Sequence, residues 1–370
     1  MKKYLLPFLF SIPLFALPRF SVENGSSCNL CHVNPTGAGL RNDYGVTLFS
    51  MEELPIEKGK IFTDEDYTGM ILDHLRFGAD IRFQVLSRKS TDNESKTAYF
   101  PMQGDLYGNL SVSKGIDFYV KHDIIHQQPE FWTTLKILPF DGYIRFGKFI
   151  PTYGLRLDDH SAFIRGGNLR LSHGLQKEGM IFSPYNESPG ILETGLYFSD
   201  IFLTVSTSNK YASGNEQGYG FSESLNEKNF TFRGEHISSF GLVSTLSGLS
   251  YMKEGDFQMK GIFGGVSFKR LNWIGEMDLA ENWVKNKSIS LASFSQFSYV
   301  VKQGVHILAR YDLFDEDINV KHNAVSRVTL GADIFPFSFF EIKLQGRFTS
   351  VSGGDSNPEP EYIIQFHTWF

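Results

Sequence analysis

The chain has 370 residues, of which 35 are basic and 41 acidic, and its net charge of −6 argues against nucleic acid as a partner. It carries 35 Phe, 16 Tyr and 35 Gly, yet its mean hydropathy is only −0.19. Beyond the first residues no run of about 18 apolar residues occurs, which excludes helical membrane spans but not strands that meet lipid with one face.

The N-terminus reads as a secretory signal covering residues 1–16. Lys2 and Lys3 precede an apolar stretch from Tyr4 to Phe15 that is too short to span a bilayer. Cleavage is expected near Ala16, although Leu14 is larger than the residue usually found at that position; an uncleaved anchor is the alternative. Export delivers the chain to a compartment where thiols can be oxidised.

Residues 17–72 form an extension whose first feature is Cys28-Asn29-Leu30-Cys31-His32, holding both cysteines of the chain. C-x-x-C-H is the attachment signature of a c-type haem: two thiols bond the porphyrin and the adjacent histidine ligates the iron on the proximal side. Two other readings are open. A redox disulfide normally opens the helix of a βαβ unit, which does not follow here, and a structural zinc site would need two further ligands from elsewhere.

Only about forty residues separate His32 from Asp73, too few to wrap a porphyrin in a core of their own. The expected shield is therefore the following domain, and Gly37, Gly39 and Gly45 would let this backbone turn tightly or approach the ring. For the distal iron ligand Met51 and His74 are the nearest candidates in sequence, ahead of His122, His126, His160 and His173.

From residue 73 to 370 the pattern has period two. Leu75, Phe77, Ala79, Ile81, Phe83 and Val85 alternate with Arg76, Asp80, Arg82 and Gln84. Tyr143, Arg145, Gly147 and Phe149 oppose Ile144, Phe146 and Lys148, and Phe340, Ile342, Leu344 and Phe348 oppose Glu341, Lys343, Gln345 and Arg347. Turn signals at 113–115, 139–142, 186–190 and 253–256 separate such runs, and polar stretches at 209–229 and 351–360 read as external loops. The count predicts an all-β fold: a transmembrane antiparallel barrel of about sixteen strands.

The charged stretch from Tyr153 to His160, continuing to Arg165 and Arg170, is read as a solvated external loop, with an inward constriction loop as the alternative. In the last ten residues Tyr362, Ile364, Phe366 and the terminal Phe370 share one face. This ending resembles the strand signal read by the barrel assembly machinery of outer membranes.

The segment Ala16-x-Pro18-x-Phe20-x4-Gly25-x2-Cys28-x2-Cys31-His32 resembles, in spacing, the outer-membrane cytochrome–porin fusions of iron-oxidising bacteria. The resemblance implies one covalent haem c on Cys28 and Cys31 with His32 on its iron, and a barrel of about sixteen strands. It further implies electron transfer between an extracellular donor, ferrous iron in that family, and a periplasmic soluble cytochrome, an iron oxidase-type reaction. The bacterial outer membrane would be the site, its lipid a partner, with the haem segment in the lumen or at the periplasmic mouth. The alternative is a diffusion porin whose haem segment is a plug or sensor.

Thioether bonds survive denaturation. A denaturing gel of the chain matured in a haem-attaching host is thus expected to show peroxidase staining at its mass, lost in Cys28→Ser/Cys31→Ser; a colourless wild-type band would refute covalent haem.

Overall fold

Each period-two run becomes a strand because its two faces meet different surroundings, one apolar and one polar. The computed structural model describes residues 18–56, 67–89, 95–125, 128–157, 161–167, 190–209, 228–352 and 359–370. Its strands are β1 (Met70–Leu72), β2 (Leu75–Lys89), β3 (Ser95–Ser113), β4 (Ile116–Asp123), β5 (Gln128–Leu135), β6 (Tyr143–Lys148), β7 (Ile191–Phe198) and β8 (Ile201–Asn209). They continue as β9 (Lys228–Phe240), β10 (Val243–Glu254), β11 (Phe257–Phe268), β12 (Leu271–Glu281), β13 (Ile289–Lys302), β14 (Val305–Asp315), β15 (Ala324–Ile334), β16 (Phe340–Val351) and β17 (Glu359–Trp369).

Every strand from β2 to β17 pairs antiparallel with its neighbours in sequence, and β17 pairs with β2 from Glu361↔Arg88 to Trp369↔Asp80. The sheet therefore closes into a barrel of sixteen strands without an edge. The three-residue β1 only folds back antiparallel on the start of β2, Met70 against Arg76 and Leu72 against Leu75. The count matches the expectation from sequence.

The alternation sorts the side chains as expected. Ile81, Phe83, Phe146, Leu344, Phe348, Ile364 and Phe366 face outward and exposed, while Arg76, Asp80, Arg82, Arg145, Glu341 and Arg347 are buried inside. An apolar exterior around a charged lumen is the arrangement of a barrel that stands in lipid. Among the described residues no helix is long and apolar enough to cross a membrane.

The two ends of the barrel differ. Two residues join β7 to β8, β9 to β10, β11 to β12 and β13 to β14 at the end where β2 starts and β17 finishes. The long connections, between Lys148 and Ile191 and between Asn209 and Lys228, lie at the opposite end. The turns expected at 113–115, 139–142 and 253–256 are present; residues 186–189 and most of the loops expected at 209–229 and 351–360 lie outside the described residues.

The stretch after β6 overturns one expectation. Its described part folds into the lumen rather than out into solvent, so the inward reading of Tyr153 and Arg165 is the correct one. Tyr153 Oη donates to Asp278 at 3.2 Å, the Leu155 amide to Glu276 at 2.6 Å, and the Phe163 amide to Asp312 at 3.3 Å. Arg165 pairs with Glu276 at 2.9 Å, with both side chains buried. Phe163 and Ile164 pack with Ile274, Phe294 and Phe314 in an apolar cluster of the lumen. The partners on β12 and β14 lie more than a hundred residues downstream, so the charges of this stretch looked unsatisfied and hence external. Asp158, Asp159, His160 and Arg170 lie outside the described residues.

Glu276 holds both the Leu155 amide and the Arg165 guanidinium. Glu276→Ala leaves that buried guanidinium with only the more distant Asp278, at 3.9 Å, as an acidic partner and strips the Leu155 amide of its acceptor, a loss of about 3 kcal/mol for the docked loop. The expected result is protease cleavage between Ile150 and Gly167 in a barrel that keeps its heat-modifiable gel mobility; an equally resistant loop would show that the apolar cluster alone retains it.

Candidate functional site

Residues 18–56 enter the barrel at the short-turn end and pack against its inner wall. A helix, α1 (Pro18–Asn24), lies against β10, β11 and β12. Arg19 pairs with Asp333 of β15, and Phe20 meets Phe49 edge-on at 5.2 Å and His306 of β14 at 5.7 Å. The second helical stretch, Tyr44–Glu53, is π-helical and buries Val46, Phe49 and Met51 against Phe335, Phe339 and Trp369. Trp369 Nε1 donates to Ser50 at 2.9 Å, and the Ile56 amide to the Phe335 carbonyl at 2.8 Å in the turn before β16. The end of the barrel chain thus helps hold the start of it.

Between these helices lies the cysteine pentapeptide. Cys28–Leu30 form one 3-10 turn, and the amides of Cys31 and His32 both donate to the Cys28 carbonyl, at 3.3 and 3.2 Å. Residues three apart on one turn lie on one face, so both thiols address the same side. Asn42 clasps the turn, donating through Nδ2 to the Leu30 carbonyl at 2.8 Å and to that of Asn29 at 3.0 Å. His32 and Arg41 form an antiparallel bridge, and the His32 Nδ1–H points at the Gly39 carbonyl at 3.2 Å. With Nδ1 as donor, the lone pair of the ring sits on Nε2.

Two glycines are required here by close approach. A Cβ on Gly37, whose φ is +86°, would lie 2.6 Å from the Cys28 Cβ, and one on Gly45 would collide with the Cys31 carbonyl oxygen. The tight turns expected of these glycines are present at Gly37 and Gly39, both at positive φ, while the close approach at Gly37 and Gly45 is to the cysteine turn and at Gly39 to Tyr119.

The pentapeptide opens on the lumen. Cys31 and His32 line a cavity of about 1680 Å³, its open mouth included, together with Phe20, Phe49, Leu54 and Trp369. Arg41 stacks over the Trp369 ring at 5.0 Å beside it. Burial pushes the Cys31 thiol up to about 12 despite the nearby Arg41 charge, the opposite of the lowered thiol of a redox-active pair. Among the described residues no group of three or more His, Cys, Asp and Glu side chains is placed to hold a metal ion.

The distal candidates fall elsewhere. Met51 is packed in the apolar cluster around Trp369, and its carbonyl accepts from Ser338 at 3.4 Å. His74 is exposed in the turn before β2, and His122 faces outward from β4; His126, His160 and His173 lie outside the described residues. The cavity wall carries His367 and Met102 instead. His367 is held through Nε2 by Asp80 and through Nδ1 by Glu341, both at 2.9 Å. Its signal in the sequence was an inward position on the last strand, which nearness to the pentapeptide along the chain could not reveal.

Arg145 is a further residue that sequence reading assigned only to a strand face. It is 1% exposed and donates to Asn34 Oδ1 at 2.7 Å and Glu193 Oε1 at 2.6 Å, with its guanidinium 4.0 Å from the Phe149 ring centre. Asn34 in turn donates to the Gly37 carbonyl at 2.7 Å. Through these bonds β6 and β7 fix the turn that packs on Cys28. Beside them the Leu40 amide donates to Tyr119 Oη at 3.1 Å, and Tyr197 Oη donates to the Pro35 carbonyl at 3.0 Å.

No protein-family model matches the chain, and no curated protein matches its sequence. Among solved structures it is similar to the anion-selective porin from Comamonas acidovorans, at 13% identity and TM-score 0.56 over 80% of this chain and 99% of that one. It is also similar to OprB of Pseudomonas putida, at 10% identity and TM-score 0.62 over 87% and 100%. The outer membrane channel DcaP of Acinetobacter baumannii matches at 11% identity and TM-score 0.52 over 80% and 97%. At these identities the likeness is one of fold: a porin-type barrel.

Arg145→Met would leave Glu193 buried beside only the neutral donors Tyr143 and Thr152 and release Asn34, at a cost of about 3–5 kcal/mol. The expected outcome is protease cleavage between residues 30 and 45 with the barrel intact, and Arg145→Met/Glu193→Gln should recover most of the loss. Equal cleavage in the single and double variants would show that the charge is not what holds the turn.

Proposed function

We propose that this chain is a bacterial outer-membrane barrel carrying one covalent c-type haem in its lumen, and that it passes electrons between a partner outside the cell and a periplasmic soluble cytochrome. One observation carries the reading: the only two cysteines sit on a single helical turn beside a histidine with an oriented ring, and Cys31 and His32 line a lumenal cavity. Cys28 and Cys31 would hold the haem through thioethers and His32 would ligate its iron through Nε2. When bound, the haem supplies a one-electron iron couple.

The chain's own residues do the rest. The Gly39 carbonyl fixes the His32 ring and keeps its Nδ1 protonated. Phe20, Phe49 and Leu54 exclude water from one side of the cavity. The extension, bound to the short turns, faces the periplasm on one side and the lumen on the other, so partners from the two compartments approach from opposite ends. The resemblance to iron-oxidising cytochrome–porins makes ferrous iron the first donor to consider. The apolar exterior supports lipid as a partner, and the C-terminal strand supports recognition by the barrel assembly machinery.

The likeness to porins and channels favours a second reading, in which the lumen conducts solutes and the extension is a plug. Proteoliposomes separate the two. Electron transfer predicts reduction of an enclosed cytochrome by an impermeant external reductant, lost in His32→Ala while heat-modifiable mobility persists. High ion conductance without electron transfer, indifferent to loss of haem, would establish the plugged porin instead.

A further inference from the structure

Three cations stand together at the short-turn end of the barrel, away from the lumen. Lys269 and Arg270 are the whole turn between β11 and β12, and Lys302 ends β13 one turn further along. All three are exposed, and among the described residues none is paired with an acid. Arg270 Nη1 donates to the Val301 carbonyl at 3.3 Å and the Val300 amide to the Arg270 carbonyl at 2.9 Å, so the turn leans on the end of β13 beside Lys302. The four turns that join β9 to β10, β11 to β12, β13 to β14 and β15 to β16 contain no acid. Glu52 and Glu53 approach them only with the extension: the Glu52 carbonyl accepts from Gln303 at 2.8 Å, and the Glu53 carboxylate from Tyr44 at 3.2 Å. The other turns of this end carry Asp73, Asp141 and Asp200, and Lys136 there is held by Asp117 at 2.7 Å.

The backbone adds a second observation. Lys269 sits at φ +57°, where the first position of the β7–β8 and β9–β10 turns carries Ser199 at +54° and Gly241 at +63°. A long side chain is uncommon in that conformation, which favours Gly, Asn and Asp. Its head is not left in open water: the ammonium lies 5.2 Å from the centre of the Phe268 ring. Phe268 pairs in register with Leu271, and Leu271 with Tyr299, and all three face outward and exposed. The cations thus rim a row of the apolar exterior, at the level where basic side chains lay their stems on apolar surface and keep their charge at the interface. A cation in that position attracts anionic headgroups.

We infer that Lys269, Arg270 and Lys302 form a binding site for the headgroup phosphate of an anionic phospholipid, whose acyl chains lie along Phe268, Leu271 and Tyr299. The apolar row decides for a lipid over a soluble anion, because it continues from the three charges into the lipid-facing wall. The Arg270 guanidinium bridges the two turns, and the flexible ammoniums of Lys269 and Lys302 close on the phosphate from either side. The site rests on the barrel and its apolar exterior and is independent of the haem reading.

The test titrates the detergent-solubilised full chain with dioleoyl phosphatidylglycerol or with dioleoyl phosphatidylcholine, which has the same chains on a headgroup without net charge. Native mass spectrometry reads the lipid retained. Phosphatidylglycerol is expected to be retained at a concentration at least about tenfold lower, with the difference narrowing as salt is added. Lys269→Asn/Arg270→Gln/Lys302→Gln, in which asparagine keeps a residue that tolerates positive φ, should bring phosphatidylglycerol to the level of phosphatidylcholine while heat-modifiable mobility persists. Should that variant not fold, Lys302→Gln alone leaves the two-residue turn intact and should lose part of the preference. Inorganic phosphate at the lipid's concentration is expected to displace nothing. Equal retention of the two lipids by the wild-type chain, an undiminished preference in a folded variant, or displacement by inorganic phosphate alone would each overturn the inference.

Discussion

The controlling constraint is that a segment of about forty residues cannot bury a large ligand by itself, whereas a sixteen-stranded barrel has a lumen that must be filled or left wet. Each half of the chain answers the other's deficit. The extension takes its core from Phe335, Phe339 and Trp369 of the barrel, and the barrel lumen gains Phe20, Val46, Phe49 and Leu54 to cover its short-turn end. Arg145, Tyr119 and Tyr197 then set the register of the extension by polar contacts to Asn34, Leu40 and Pro35, so the pentapeptide is held against the wall rather than swinging on a tether. Charged groups can serve inside only because they are paired: Arg145 with Glu193, Arg165 with Glu276, Arg310 with Asp312. Removing one partner from such a pair is costly, which gives the lumen a defined geometry in place of a loose polar interior.

The inward loop after β6 adds a second layer. Its residues line both the cavity at Cys31 and a neighbouring one bounded by Asp105, Lys121, Asp123 and Glu130. The first is walled on the side of β14 to β17 by Arg310, Arg327 and Arg347 together with Asp333, Glu341 and Glu361, and the two share Arg82, Met102 and Leu157.

How much of this was legible in the sequence follows from the range of the interactions. The strands were legible because period two is local: Arg82 and Phe83 declare their faces within a few residues of each other. Cys28, Cys31 and His32 stood out as a local motif, and the structure sets Cys28–Leu30 in one 3-10 turn, on which the haem proposal rests. What the sequence hid is long-range. The loop from Tyr153 to Arg165 read as external because its compensating acids, Glu276 and Asp278, lie over a hundred positions away. Arg145 read as one inward residue among many, since nothing local links it to Asn34. Proximity in sequence likewise brought forward Met51 and His74, while the cavity wall carries Met102 and His367, the latter from the last strand.

The closure of β17 on β2 explains why the last strand matters so much to the first segment. That seam brings Trp369 opposite Asp80 and places His367 across from Arg82, so the final residues of the chain stand beside the cavity that Cys31 and His32 line. The cavity is then complete only after the barrel has shut. On the proposed reading this orders assembly: haem must be attached to an extension that has not yet found its shield, and the shield forms around it when the last strand pairs. A covalent bond suits that sequence of events better than a coordinate bond alone, because thioethers keep the haem on the chain while its surroundings are still solvent.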